Sequence, residues 1–345
     1  MTNGTWPETE EIKALQIRRP HLVILGAGAS LAAFPNGDRN GKRLPVMRTF
    51  ADVVGLNDLL RNAGIPGPYD NFEAIYSDIA VDPSRAHLKA EIESRVDSYF
   101  SSLELPDEPT LYDHLILSLR PKDVIATFNW DPFLCQAASR NHEFGGVPTL
   151  LFLHGNVAFS YCGTCKTAYP LQTHCRECGA ELTKSPLLYP VKQKDYQTDT
   201  AIAAHWRTLE RVLQCAWALT IFGYGAPKTD VEAVRLMKKA WGDVDNRELE
   251  ETEIIDVRTE DDLTNTWAPF IHSHHYTIQN TFYDSYIARF PRRSGEALWA
   301  RLMECQWLDP HEFPRDAGFR ELYDWLQPRI DAEREAGEQE DGEGR

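Results

Sequence analysis

No apolar run in the chain approaches the ~18 residues that a bilayer-crossing helix needs, which excludes a helical membrane span. Basic residues are scarce too, with 36 Lys+Arg against 52 Asp+Glu and a formal charge of −16 over 345 residues. Without a basic face to displace counterions, direct nucleic-acid binding is not expected. The opening MTNGTWPETEEIK lacks the basic-then-apolar order of a secretory signal, so the protein is expected to be cytoplasmic. There is no internal repeat. What the chain does contain is 42% apolar and 11% aromatic residues, enough for a globular core. At this length that implies about two domains.

The seven cysteines are unevenly placed. Four follow the pattern Cys162-x2-Cys165-x9-Cys175-x2-Cys178, while Cys135, Cys215 and Cys305 stand alone in apolar surroundings, where they are expected to fill core. In a reducing compartment two Cys-x2-Cys knuckles point to a metal rather than to disulfides. Four thiolates suit tetrahedral Zn²⁺ and leave no open position, so the ion is expected to be structural.

The apolar run His21–Leu25 suits a parallel strand buried on both faces and passes directly into Gly26-Ala-Gly28-Ala-Ser30. Turn formers and charge over residues 35–48 suggest a mobile loop, a candidate lid. Helices are expected over 50–60, 71–80, 83–103, 111–119, 198–216, 230–241 (with Asp230 as N-cap) and 294–334. Strands are expected over 123–127, 149–153, 218–222 and 253–257. Strands alternating with helices imply a parallel sheet with right-handed crossovers. The acidic end, EREAGEQEDGEGR, is expected to be disordered.

In such a sheet, ligands bind beyond the carboxyl ends of the strands. Four motifs fall there. In the first, Gly26, Ala27 and Gly28 let backbone approach a pyrophosphate and Ser30 can hydrogen-bond it; the plainer alternative is a tight strand-to-helix turn. Leu31 replaces the third glycine of the dinucleotide fingerprint and no acid follows ~20 residues on, which weakens a dehydrogenase reading. In the second, Thr127-Phe-Asn129-Trp-Asp131, Asn129 can donate and accept, and Asp131 can accept from a carboxamide or ribose hydroxyl, or merely cap a helix. The third, His154-Gly155-Asn156, brings a side chain that titrates near neutrality. The fourth is Gly223-Tyr224-Gly225 with Asp230, joined by Asp256, whose carboxylate can accept from ribose hydroxyls or mark a solvated strand end. His272, His274 and His275 have no paired acid or cysteine and are read as surface.

In this order, Gly26–Ser30, Phe128-Asn129-Trp-Asp131, Leu153-His154-Gly155-Asn156, the cysteine knuckles and Gly223-Tyr224-Gly225 resemble the sirtuin family of NAD-consuming enzymes. The most specific part is LHGNVAFSYCGTC…CRECGAEL. The resemblance implies an α/β fold with a Rossmann-like NAD-binding domain over 18–50, 120–158 and 190–290. It further implies a small domain made of a helical insertion, 51–119, and a four-cysteine zinc ribbon, 159–189. C-terminal helices over 291–335 and an acidic tail over 336–345 follow. Two departures matter: Leu31-Ala-Ala-Phe34-Pro35-Asn36 stands in place of a Gly-Ile-Pro-Asp-Phe-Arg loop, and Leu188-Tyr-Pro-Val191 in place of a peptide-pairing Phe-Gly-Glu segment. Both weigh against peptide binding, and the Asn129-Trp-Asp131 form of the second motif and Gly223-Tyr224-Gly225 with Asp230 instead resemble bacterial sirtuin-like antiphage proteins that hydrolyse NAD.

The resemblance thus implies an NAD glycohydrolase with NAD as substrate. His154 is expected as base, Asn129 to orient water or ribose, and Asp131 to hold the carboxamide. Gly26, Ala27, Gly28 and Ser30 are expected to bind pyrophosphate, with Gly223, Tyr224 and Asp256 around the adenosine. Alternatives are an NAD-dependent protein-lysine deacylase and a non-catalytic NAD or ADP-ribose sensor. Because unrestrained NAD hydrolysis is toxic, a homo-oligomer or a partner ATPase is expected to control it, with helices in 291–335 as candidate contacts.

Overall fold

The computed structural model describes residues 8–343 apart from 166, 171, 191–195, 197, 198, 227–229, 244, 246, 248, 269 and 272–274. Its frame is a six-stranded sheet in which β1 (His21–Leu25), β2 (Val124–Thr127), β3 (Thr149–Phe152), β7 (Ala218–Phe222), β8 (Glu251–Ile255) and β9 (Tyr276–Gln279) all run parallel. A three-stranded antiparallel sheet of β4 (Phe159–Tyr161), β5 (Ala168–Pro170) and β6 (Thr183–Lys184) is inserted after β3. The large sheet has the order β3-β2-β1-β7-β8-β9. Counted in chain order this is 3-2-1-4-5-6, the order of doubly wound dinucleotide-binding sheets, with its reversal between β1 and β7.

The continuous apolar strands are explained by cover on both faces. Val23 and Leu25 enter one core with the helices of residues 50–117, while Leu22 and Ile24 enter a second with helices Thr200–Cys215 and Val231–Trp241. Strand β8 begins two residues before its expected start. Its Glu251 and Glu253 are buried, Arg301 pairs with Glu251, and Glu253 accepts from Thr220 Oγ1 at 3.1 Å and Tyr286 N at 3.0 Å. Those partners let carboxylates occupy an interior strand, while Val257 is 89% exposed. Strand β9 has no apolar run to announce it, because it is a half-buried edge.

Several helices differ from expectation. Gly55, at φ +77°, divides the first into Phe50–Val53 and Asn57–Asn62. The expected helix over 294–334 is two, Ser294–Met303 and Phe319–Glu343. The second runs through most of the expected disordered tail: its glutamates and alanines favour helix, and Ala332 and Ala336 are buried. Ser294–Leu298 and Ala300 are buried within the chain, so that face is not available for an outside contact. Cys215 and Cys305 are exposed rather than core, and Cys135 is half-buried.

The turns after β1 and β7 touch backbone to backbone. Gly28 N donates to Gly223 O at 2.9 Å, and a Cβ on Gly223 would lie 2.2 Å from Ala29 N. Gly223 also has φ +61°. Gly223→Ala therefore combines left-handed strain with overpacking, and is expected to cost more than about 3 kcal/mol. A lower urea midpoint at unchanged m-value checks it.

Candidate active site

A cavity of about 290 Å³ opens at the carboxyl ends of β1, β2, β3 and β7, at the point where the strand order reverses. Gly26, Ala27, Ser30, Asn129, Asp131, His154, Gly223, Tyr224 and Asp230 all line it. His154 and Asn129, from different strand ends, share this one space. Leu44, Pro45, Val46, Met47, Phe50, Phe100, Trp130, Leu188 and Pro190 supply an apolar wall.

Each polar group is held by its chain context. Asn129 follows β2, where its Nδ2 donates to Gly26 O at 2.9 Å and to Ser30 Oγ at 3.0 Å. Both strong donor bonds of the amide point inward, which leaves carbonyl Oδ1 as the group for a ligand. Asp131 is buried and accepts from Ser30 Oγ at 2.8 Å; burial pushes its carboxyl up to about 6. Buried Asn156 ties the exits of β2 and β3 together, donating to Asp131 O at 2.7 Å.

The His154 ring lies edge-on to Phe128 at 4.8 Å and nearly parallel to Tyr196 at 5.9 Å, with Nε2 3.4 Å from the Tyr196 hydroxyl. Gly155 follows at φ +77°, where a Cβ would lie 1.7 Å from Pro186 O. The returning segment passes over this glycine, and Leu188 N donates to His154 O at 2.9 Å. Tyr224 stacks on Phe128 at 4.1 Å, and its hydroxyl donates to Asp230 at 2.9 Å. Asp230 occupies the N-cap position expected of it, but its side chain makes no capping bond.

Three of the expected contact residues are placed as follows. Gly28 is not among the lining residues and instead serves the close approach to Gly223. Ser30 lines the cavity, but its Oγ donates to Asp131, accepts from Asn129 and lies 2.7 Å from the Tyr112 hydroxyl, so no bonding capacity remains for a pyrophosphate. Asp256 is not in the lining either: Arg258, two residues on, binds it through backbone N at 3.0 Å and Nη2 at 2.9 Å. The loop after Phe34 has no helix or strand before Met47, and Asp38 pins it by accepting from the backbone N of Asn40, Lys42 and Glu104 at 2.8, 2.9 and 3.1 Å. His275 is half-buried, its carbonyl accepting from Thr252 N at 3.0 Å; His272 and His274 lie outside the described residues.

Cys162, Cys165, Cys175 and Cys178 are positioned to bind a metal, with all four sulfurs within 4.8 Å of one another. Cys162 to Cys178 is 3.6 Å and Cys165 to Cys175 is 3.9 Å. Zn–S bonds of 2.3 Å at a tetrahedral angle require S···S separations of about 3.8 Å, so the donor set fits.

No family model matches the chain, and no curated relative matches it. Among solved structures it is similar to a Sir2 homolog in complex with NAD at 14% identity, covering 88% of this chain and 97% of that one, with a TM-score of 0.39. A structure of Sir2 enzymes described for their mechanism and regulation gives 15%, 86%, 95% and 0.38. A complex of Sir2 with a p53 peptide and NAD⁺ gives 14%, 81%, 93% and 0.37. Similarity at this level assigns neither a family nor a ligand. Among the described residues no helix is long and apolar enough to cross a membrane.

Proposed function

We propose that the protein is a sirtuin-like NAD glycohydrolase, cleaving NAD to nicotinamide and ADP-ribose. The observation that carries this reading is the convergence of His154 and Asn129 on one cavity at the switch point of a dinucleotide-type sheet. In the reaction the bond between ribose C1′ and the pyridinium nitrogen breaks, and its electron pair neutralises the nicotinamide. No strong acid is needed for that departure, so the site stabilises an oxocarbenium-like sugar and directs a water onto C1′. Asn129 Oδ1 accepts from that water or from a ribose hydroxyl, and His154 takes the proton. Asp131 retains acceptor capacity for the carboxamide or a ribose hydroxyl.

Leu188 and Pro190 support hydrolysis over deacylation. They close the cavity beside His154, and the Ser77 hydroxyl anchors Pro190 O at 3.2 Å, so the segment is packed as wall; Val191 lies outside the described residues. In this reading Zn²⁺ in the cysteine cluster is structural, and the chain is the NAD-depleting effector of a bacterial antiphage system, restrained by an oligomer or a partner ATPase.

Purified protein given NAD alone is expected to release ADP-ribose and nicotinamide, followed by chromatography. Release only when an acyl-lysine peptide is added would identify a deacylase. NAD retained intact throughout would identify a sensor.

A further inference from the structure

The Ser30 hydroxyl stands where the glycine turn, the strand end carrying Asn129 and Asp131, and the helical insertion meet. From that insertion comes Tyr112, on helix Leu111–Leu117, 1% exposed, its hydroxyl 2.7 Å from Ser30 Oγ and 3.5 Å from Asn129 Nδ2. Phe34 fixes the ring by an edge contact at 5.7 Å. Neither composition nor motif singled it out.

We propose that Tyr112 is a positioning residue that acts through Ser30, orienting Asn129 and keeping Asp131 in its carboxylate form. The argument is one of counting. Ser30 has one proton and accepts two bonds. The Asn129 amide nitrogen can only donate to it, and the Ser30 proton goes to Asp131, so the phenol must be the second donor. The order Tyr112 to Ser30 to Asp131 satisfies every group. Were Asp131 protonated on Oδ2 and donating instead, the chain would reverse, and the Tyr112 proton would have only the bonds to Ser30 and Asn129 Nδ2, neither of which could accept it. The phenol therefore opposes what burial does to Asp131, and each bond in the chain strengthens the next. The same contact keeps the Asn129 amide turned with Nδ2 inward.

The other titratable groups near Asp131 are Cys135, on the helix that follows it, and His154, Asp230 and Glu73, which line the same cavity. None of them bonds to Ser30 in the structure.

This inference rests on the proposed NAD chemistry, so its test includes a readout free of turnover. In the full chain, Tyr112→Phe is expected to lower kcat about fivefold to tenfold, with KM for NAD changed less than about twofold. The acid limb of the activity profile should move up by about half a pH unit to one. Without NAD, ¹³C-carboxyl NMR follows Asp131, assigned by its loss in Asp131→Asn. Its midpoint should rise in Tyr112→Phe and fall when Tyr112 is replaced by a ring-fluorinated tyrosine, a stronger donor of the same shape. The fluorinated protein decides the matter if Tyr112→Phe does not fold. Midpoints that stay put, or a change in KM alone, overturn the proposal. If the midpoint moves but the parent protein makes no ADP-ribose, the NAD reading fails and the relay stands.

Discussion

His154→Ala is expected to slow ADP-ribose formation by about 10²–10⁴-fold, the range a positioned general base contributes. The imidazole lines the cavity, held between Phe128 and Tyr196, and can take a proton from water. Removing it leaves the backbone intact, since the bond from Leu188 N goes to the His154 carbonyl. Folding and metal content should therefore survive, as checked by the unfolding midpoint and elemental analysis. Asn129→Ala, measured beside it, reports on the amide acceptor and should also lose most turnover. Activity of His154→Ala within tenfold of the parent would place the base elsewhere.

Metal removal is expected to have the largest effect on structure. The ribbon's strands span three, three and two residues, and among the described residues its buried side chains over 159–189 are Ser160, Cys162 and Cys175. With so little apolar core, a metal bound by the four cysteines would have to hold the knuckles together, and structural Zn²⁺ is worth about 10–16 kcal/mol of apparent binding energy. Consequences reach the cavity, because Ser185 N bonds to Phe159 O at 2.9 Å and the chain then passes over Gly155 to Leu188. Elemental analysis should find one zinc per chain. Chelation, or Cys162→Ser, should strip it, abolish hydrogen-exchange protection in β4 and β6, and depress NAD cleavage although the ion performs no chemistry. Full activity after complete stripping would refute this.

What was legible in the sequence was chemistry that strand order alone brings together. His21–Leu25, Asn129, His154 and Gly223 each sit at or just after an apolar run, so their common edge follows from a parallel sheet without knowledge of distant contacts. The cysteine spacing was legible for the same reason, because ligands close in sequence converge locally. Tyr112 and Tyr196 were not, since their places depend on how an insertion and a returning segment fold back on the sheet. Ser30 and Asp256 carried the right atoms for a nucleotide, and the sequence did not show the bonds they already make: to Tyr112 and Asp131 for one, to Arg258 for the other. Residue type announces capacity, and only the packed structure shows what capacity is left.

The glycine turns after β1 and β7 have a mechanical consequence. Backbone pressed on backbone leaves no side chains to slide and no rotamers to change, so the floor of the cleft cannot hinge at the strand-order reversal. If the cavity takes the proposed NAD, any adjustment on entry falls instead to the apolar wall of Leu44–Met47, Leu188 and Pro190. Under that proposal the reacting groups stand on the fixed side of the cleft.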